Sequence, residues 1–139
     1  MMDNKFVVLK FGGSSQCLNG KNVIVKKINS YIAEGLNVFL VISAVGKTTD
    51  NLYKLVKFED SYQNIVDDHR KYCESIDVNF DCIKDKLNEL KRDINEYTMD
   101  SSLDITQHKI KIISYGEILA TIIVHNFLLN SSIDNQLIH

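Results

Sequence analysis

The sequence contains no proline and no tryptophan, and it has only three cysteines among its 139 residues. Without proline there is no proline-rich linker, and the chain shows neither an internal repeat nor a low-complexity segment. Cys17, Cys73 and Cys82 are odd in number and contain no C-x-x-C pair, which disfavours a disulfide framework and a zinc site. This cysteine usage fits a reducing cytoplasm.

Neither sign of charge dominates, because 16 basic and 18 acidic residues give a net charge of -2. Such a balance provides no basic stripe for nucleic acid and no polybasic membrane anchor. The most apolar long stretch, residues 110–129, contains Lys111, Glu117 and His125, which disfavours a bilayer span. The N-terminus also lacks the pattern of a secretory signal. We therefore expect one cytoplasmic domain, 1–139, with no nucleic-acid partner and no membrane partner.

The N-terminal third predicts a strand, a helix and a second, parallel strand. Residues 6–9 are apolar and run into the small residues 12–15, and apolar residues then recur at helical spacing from about Asn22 to a C-cap at Gly35. Residues 38–42 are continuously apolar, which predicts a strand covered on both faces. A right-handed crossover brings the loops after both strands to one sheet edge, where α/β proteins bind ligands.

The remaining chain predicts mostly helices. Residues 52–97 have apolar residues at helical spacing among many charged ones, which indicates two or three amphipathic helices. Residues 99–104 predict a loop and an N-cap, and residues 105–129 predict a buried helix that Gly116 interrupts. We expect residues 133–138 to begin a third strand.

The first motif is Lys10-Phe11-Gly12-Gly13-Ser14-Ser15, at the end of the first predicted strand. Glycines let the backbone approach an anion and expose its amide N–H groups, while Lys10 supplies a positive charge. This chemistry suits a phosphate group. A plain turn after a strand, with a solvated lysine, explains the same residues about equally well.

The second motif, residues 43–50, follows the second predicted strand and contains a Gly-Lys-Thr at residues 46–48. It is not a Walker P-loop, because the position that needs the first glycine is Val41, inside the strand. The hydroxyls of Ser43 and Thr49 suit a small polar substrate. They are also compatible with a turn and the N-cap of a following helix.

The third motif is Ser114-Tyr115-Gly116-Glu117, in the apolar helix. A carboxylate buried there needs a cation, but a glutamate at the rim that pairs with a surface lysine is the more common arrangement. The four histidines have no spacing that indicates a metal site or a nucleophile dyad, and we expect them to be exposed or partly packed.

Together, the Lys10–Ser15 motif, the strand end Val41-Ile42-Ser43-Ala44 with Thr49 and Leu52, and the Ser114–Glu117 motif resemble the N-terminal half of aspartate kinases, in order and in spacing. The resemblance covers essentially the whole chain. It implies the three-layer α/β/α sandwich of the amino acid kinase superfamily, with a mainly parallel sheet, truncated to its N-terminal half. It also implies phosphoryl transfer from ATP, with Mg²⁺, to the side-chain carboxylate of L-aspartate in lysine, threonine and methionine biosynthesis.

The resemblance also assigns roles to residues. Lys10 is the expected catalytic residue in contact with the transferring phosphoryl group, and Gly12, Gly13 and Ser14 are expected to hold phosphate oxygens with it. The expected aspartate-binding residues are Ser43, Thr49 and Glu117. In this arrangement Glu117 finds its cation in the α-ammonium group of the substrate.

Several parts of the aspartate kinase pattern do not occur in the sequence. These are a later glycine-rich loop with its aspartate, the arginine for the substrate α-carboxylate, most of the nucleotide pocket and the ACT regulatory domains. We therefore expect negligible activity from the chain alone. The alternatives are a non-catalytic remnant that binds aspartate or phosphate, and an interaction module that pairs with a separately encoded second half, with a full-length paralogue or, as a homo-oligomer, with itself.

Overall fold

The computed structural model describes residues 5–11, 18–99 and 105–138. Three residues of the predicted phosphate loop, Gly12, Gly13 and Ser14, lie outside the described residues, as do most of the predicted loop and N-cap at residues 99–104.

The N-terminal part forms the predicted strand, helix and strand: β1 (Phe6–Phe11), α1 (Leu18–Ala33) and β2 (Asn37–Ile42). The two strands are parallel, and they pair in register from Phe6 with Asn37 to Phe11 with Ile42. Gly35 has a φ of +80° at the turn that leaves α1, a left-handed conformation in which glycine is favoured. The predicted α/β class with a parallel sheet is confirmed.

The helices cover one face of this sheet. Alternate strand residues, including Leu9, Phe11 and Ile42, are buried or half-buried against α1 and α5, a helix defined below. The residues between them are exposed, and the apolar ones are Phe6, Val8, Phe39 and Val41. The expectation that β2 is covered on both faces is wrong for the described residues, because no described helix packs on the second face.

The rest of the described chain is helical. It forms α2 (Thr48–Val56), α3 (Tyr62–Ser75), a short 3-10 helix (Phe80–Ile83), α4 (Lys84–Met99) and α5 (Ile105–Asn130). Both the amphipathic helices of the middle region and the buried helix near the C-terminus are thus confirmed. However, Gly116 does not interrupt α5, which is continuous over 26 residues.

The prediction of a third strand at residues 133–138 is wrong, since this segment has no strand structure. Its side chains hold it against α5 instead. Asn135 pairs with the Nδ1 atom of His125 at 2.5 Å and donates to the His125 carbonyl at 3.4 Å, while Ile133 is buried in the core. These contacts direct the segment along the helix rather than along β2.

The core lies between α5 and the helices α2, α3 and α4. Its completely buried aliphatic residues are Leu52, Ile65, Ile83, Leu90, Ile112, Leu119, Ala120 and Ile123. By length and composition alone, residues 106–130 of α5 could also cross a membrane. Central helices of water-soluble domains meet the same criterion, and here the buried residues of α5 pack against α2 and α4.

Candidate functional site

The two strands end side by side, as the parallel arrangement predicts. Lys10 is the penultimate residue of β1, pairs in register with Val41, and is exposed. Directly after β2, the backbone N–H of Ser43 donates to the carbonyl of Phe11 at 3.1 Å. This bond brings the Lys10 motif and the Ser43 motif together at one sheet edge.

The loop between β2 and α2, residues 43–47, is shaped by a tight turn. Gly46 has a φ of +49°, and both the backbone N–H and the hydroxyl of Thr48 donate to the Val45 carbonyl, at 3.0 and 2.5 Å. Thr48 is buried and begins α2, whereas Thr49 is exposed in the first helical turn and Ser43 is half-buried. The hydroxyl of Thr48 therefore stabilises the turn, whereas Thr49 is a solvent-exposed residue.

Gly116 explains why α5 approaches this loop so closely. A Cβ atom on Gly116 would lie 3.1 Å from the Cβ atom of Ala44, 3.3 Å from Cδ1 of Leu52 and 3.5 Å from Cγ2 of Thr48. These distances are near or below ordinary van der Waals contact, so the helix backbone reaches the loop only because this residue has no side chain. Gly116 thus fixes the third motif against the second.

Glu117 follows Gly116 and is exposed. Its backbone carbonyl accepts a hydrogen bond from the hydroxyl of Thr121 at 2.7 Å. Within the described part of the chain, its carboxylate forms no ion pair, so the surface lysine expected to pair with a glutamate at the rim is not found there. The exposed position of Glu117 nevertheless agrees with the prediction of a glutamate at the rim.

Lys10 and Glu117 approach the sheet edge from different sides. The side chain of Lys10 projects from the open face of the sheet, to which Val8 and Val41 also belong. Glu117 lies on α5, which packs on the covered face. The Ser43–Thr49 segment and the helix turn that carries Glu117 therefore lie close together at the covered face of the sheet. The side chain of Lys10 lies on the opposite face.

A buried polar contact beside this site was not predicted. Asp93, on α4, is only 8% exposed, and its Oδ2 atom accepts a hydrogen bond from the Tyr115 hydroxyl at 2.5 Å. The Nζ atom of Lys111 lies 3.4 Å from Oδ1 of Asp93. Burial and then the bond to Asp93 raise the pKa of Tyr115 well above its ordinary value. Asp93 follows the buried Leu90 by three positions, so the helical spacing of α4 already places it on the buried face.

His69 is completely buried on α3, so the prediction of exposed or partly packed histidines is wrong for this residue. Its Nδ1 atom pairs with the Ile65 carbonyl at 2.6 Å, and burial lowers its pKa. Cys73 is also buried, which raises its pKa to about 12 and keeps the thiol protonated at neutral pH. The protonated Cys73 thiol is therefore a poor nucleophile at neutral pH, and the complete burial of His69 keeps its imidazole away from a substrate at the surface.

The described residues contain no group of three or more His, Cys, Asp or Glu side chains placed to hold a metal ion. Two surface cavities, of about 400 and 420 Å³, lie elsewhere on the molecule. The first is lined by residues from 55 to 62 and from 91 to 95, and the second by residues of α1, α5 and the segment after α3. Neither is lined by Lys10, Ser43, Thr49 or Glu117 among the residues that the structure describes.

Comparison with known proteins gives a family. No curated protein matches the chain. The profile described as "Amino acid kinase family" matches residues 5–136, from the first described residue to the segment that lies along α5. The match thus includes both strands and the five α-helices of the described residues, as well as every predicted site residue, and it indicates a phosphotransferase of the kinase type. On this match, the chain belongs to the amino acid kinase family.

Proposed function

We propose that the site serves the aspartate kinase reaction, in which the γ-phosphoryl group of ATP is transferred to the side-chain carboxylate of L-aspartate. The family match supports phosphoryl transfer, and the three motifs support the choice of substrate. The observation that carries the proposal is the close approach of Gly116 to Ala44 and Thr48. It joins the Ser43–Thr49 segment and Glu117, the residues proposed to bind aspartate.

The chemistry of the proposed reaction suits these residues. A β-carboxylate is already ionised at neutral pH, so it can attack phosphorus without a general base. The main barrier is repulsion between this anion and the anionic γ-phosphate, which the charge of Lys10 would offset. Glu117 would bind the α-ammonium group, and the hydroxyls of Ser43 and Thr49 would orient the substrate. Because Lys10 and Glu117 lie on opposite sides of the sheet edge, Lys10 would hold the phosphoryl group on one side, and Glu117 would hold the ammonium group of aspartate on the other.

Mg²⁺ would accompany the nucleotide in this proposal. It is usually held by substrate phosphates together with one or two carboxylates and water, and it does not require a cage of protein ligands. Bound Mg²⁺ would neutralise charge on the phosphate oxygens. Gly12, Gly13 and Ser14, with Lys10, are the residues proposed to hold the phosphates.

A non-catalytic role in binding aspartate or phosphate is the second candidate, and one observation favours it. The predicted site residues that the structure describes line neither of the two cavities and are largely exposed. Phosphoryl transfer depends on precise positioning in a site protected from water. This second candidate predicts that purified 1–139 binds aspartate but releases no ADP above background with ATP and Mg²⁺. Aspartate-dependent ADP release from this chain would instead support the kinase reaction.

The proposal is tested by calorimetric titration of the chain with L-aspartate. Glu117→Gln removes the charge that would bind the ammonium group, and we expect it to weaken binding on the order of tenfold or more. Glu34→Gln is the matched control, because Glu34 is also exposed but lies near the opposite end of β2. Lys10→Ala should leave aspartate affinity nearly unchanged, since Lys10 is assigned to the phosphate. Equal affinities of the wild type and Glu117→Gln would refute the role of Glu117.

A further inference from the structure

The buried contact between Asp93 and Tyr115 connects α4 to the candidate site. Asp93 is one of five polar or charged residues that are buried in the described structure, and it is the only acid among them. Placing a carboxylate in such surroundings is costly unless it is hydrogen-bonded. Tyr115 provides that bond at 2.5 Å, from the residue immediately before Gly116.

Two adjacent residues of α5 therefore make contacts in different directions. Tyr115 is fixed to α4 through Asp93, while the position that a Cβ atom of Gly116 would take lies within 3.1–3.5 Å of Ala44, Leu52 and Thr48. Successive helical residues are about 100° apart around the axis, so two such contacts define both the rotation of α5 and its position along the axis. Glu117 is the next residue, and its direction relative to the β2–α2 loop is set by these two contacts.

The second partner of Asp93 is less able to hold the helix. Lys111 is on α5 as well, but its side chain is 58% exposed and its Nζ atom is 3.4 Å from the carboxylate. An exposed lysine pair of this kind contributes little, because solvent screens it and the long side chain loses freedom. The Tyr115 hydroxyl is thus the stronger connection between α4 and this part of α5.

We propose that Asp93 is a positioning residue, which acts through the Tyr115 hydroxyl to hold Glu117 at the aspartate-binding position. The inference rests on the proposed function, because it assigns Glu117 to the substrate ammonium. It adds a requirement that the three motifs do not contain: the aspartate site depends on a residue of α4 that touches no substrate.

Tyr115→Phe tests the inference, since it removes one hydroxyl and keeps the ring that fills the core. Tyr62→Phe is the matched control, because the Tyr62 hydroxyl also donates to α4, to the Leu87 carbonyl at 3.2 Å, but Tyr62 lies on α3. We expect Tyr115→Phe to weaken L-aspartate binding about tenfold in calorimetry, in line with loss of a bond to a charged group. Tyr62→Phe should leave the affinity unchanged. Equal affinities for the two variants would overturn the inference.

A conservative substitution separates positioning from general stability. Asp93→Asn keeps a carbonyl oxygen that can accept from Tyr115, whereas Asp93→Ala removes the acceptor. We expect Asp93→Asn to retain most of the aspartate affinity that Tyr115→Phe loses. If Asp93→Asn binds as weakly as Tyr115→Phe, the hydrogen bond is not what orients Glu117, and the inference is wrong.

Hydrogen exchange tests positioning without any substrate. The amides of Ser43 and Thr48 are hydrogen-bonded at the loop that Gly116 contacts. Tyr115→Phe should accelerate their exchange about tenfold and Tyr62→Phe should not. If the wild type fails to bind aspartate while this local difference is observed, the proposed function fails and the positioning of α5 stands. If exchange at Ser43 and Thr48 is the same in both variants, positioning fails whatever the wild type binds.

Discussion

At the scale of single residues, Gly116 has the largest influence on how the site is assembled. Glycine in a helix interior costs about 1 kcal/mol relative to alanine, yet α5 runs through Gly116 without a break. Glycine is nevertheless favoured at this position, because a Cβ atom would lie 3.1 Å from the methyl group of Ala44. The residue that makes the helix weaker is therefore the one that lets it reach the β2–α2 loop.

Gly116→Ala is expected to destabilise the protein despite the better helix propensity of alanine. Overpacking costs about 1–3 kcal/mol and the propensity gain is about 1 kcal/mol, so the net loss should be about 1 kcal/mol. Urea unfolding measures it, and aspartate affinity should fall as well. In an Ala44→Gly background the methyl group in contact is gone, and Gly116→Ala should cost clearly less. An identical cost in both backgrounds would mean that this contact does not determine the role of Gly116.

The motif residues could be recognised from the sequence, whereas Asp93 could not. Lys10, Ser43 and Glu117 stand beside glycines or at strand ends, which are local signals. Asp93 is one of many charged residues in α4, and its importance comes from Tyr115, 22 residues away. The spacing of α4 shows that Asp93 is on the buried face, but the partner that satisfies its carboxylate depends on how α4 packs on α5.

At the scale of elements, three helices end at non-glycine residues in the left-handed conformation. Phe58, Asp77 and Ser132 follow α2, α3 and α5 with φ values of 65°, 55° and 63°. Only glycine adopts this conformation without a steric cost, which is roughly 1–2 kcal/mol for other residues. Among these helix ends and that of α1, four described ends have a residue with positive φ, and only the end of α1 has a glycine there, Gly35. The end of α1 is accordingly the one that the sequence predicts from a C-cap.

Ser132→Gly should therefore stabilise the protein. Ser132 is exposed, and the backbone bonds that close this turn, from Ser132 to Leu129 and from Ile133 to Leu128, remain in the variant. We expect the free energy of unfolding to rise by about 0.5–1 kcal/mol, since relief of the left-handed strain exceeds the extra entropy of glycine in the unfolded chain. Ser132→Ala is the control and should bring no gain. Equal stabilities of the two variants would contradict this explanation.

β2 and the C-terminal segment depend on contacts that the local sequence pattern does not contain. The apolar run at residues 38–42 indicates a strand with two covered faces, but it does not identify the element that packs on each face. Residues 133–138 have strand-like composition, and the bonds between Asn135 and His125 nevertheless hold them beside α5. In the C-terminal segment a tertiary contact thus overrides the local pattern, whereas in β2 the pattern predicts the strand correctly.

At the scale of the whole molecule, the open face of the sheet is the most unusual surface. Phe6 is 64% exposed and Val8 is 58% exposed, and the ring of Phe6 meets that of Phe39 edge to face at 5.6 Å. Val41 continues the same surface on β2. Contiguous apolar surface of this kind favours association, and in a purified solution the available partner is a second copy of the chain.

We therefore expect the purified chain to self-associate as its concentration rises. Size exclusion with light scattering over a range of concentrations measures this. Val41→Glu places a charge on the open face and should shift the protein towards monomer. Ile138→Glu is the control, since Ile138 is even more exposed, at 73%, but belongs to neither strand of the sheet. A wild type that stays monomeric, or equal effects of both variants, would show that the open face does not mediate association.

The central claim is that the β2–α2 loop and the Gly116–Glu117 segment together form an aspartate site. Amide ¹H–¹⁵N NMR spectra of the chain during titration with L-aspartate test it most directly. The claim predicts saturable shifts that cluster at residues 43–49 and 114–117, with much weaker effects from succinate, which lacks the ammonium group assigned to Glu117. Absence of shifts at high aspartate, or shifts that cluster around the cavity between α2 and α4 instead, would contradict the claim.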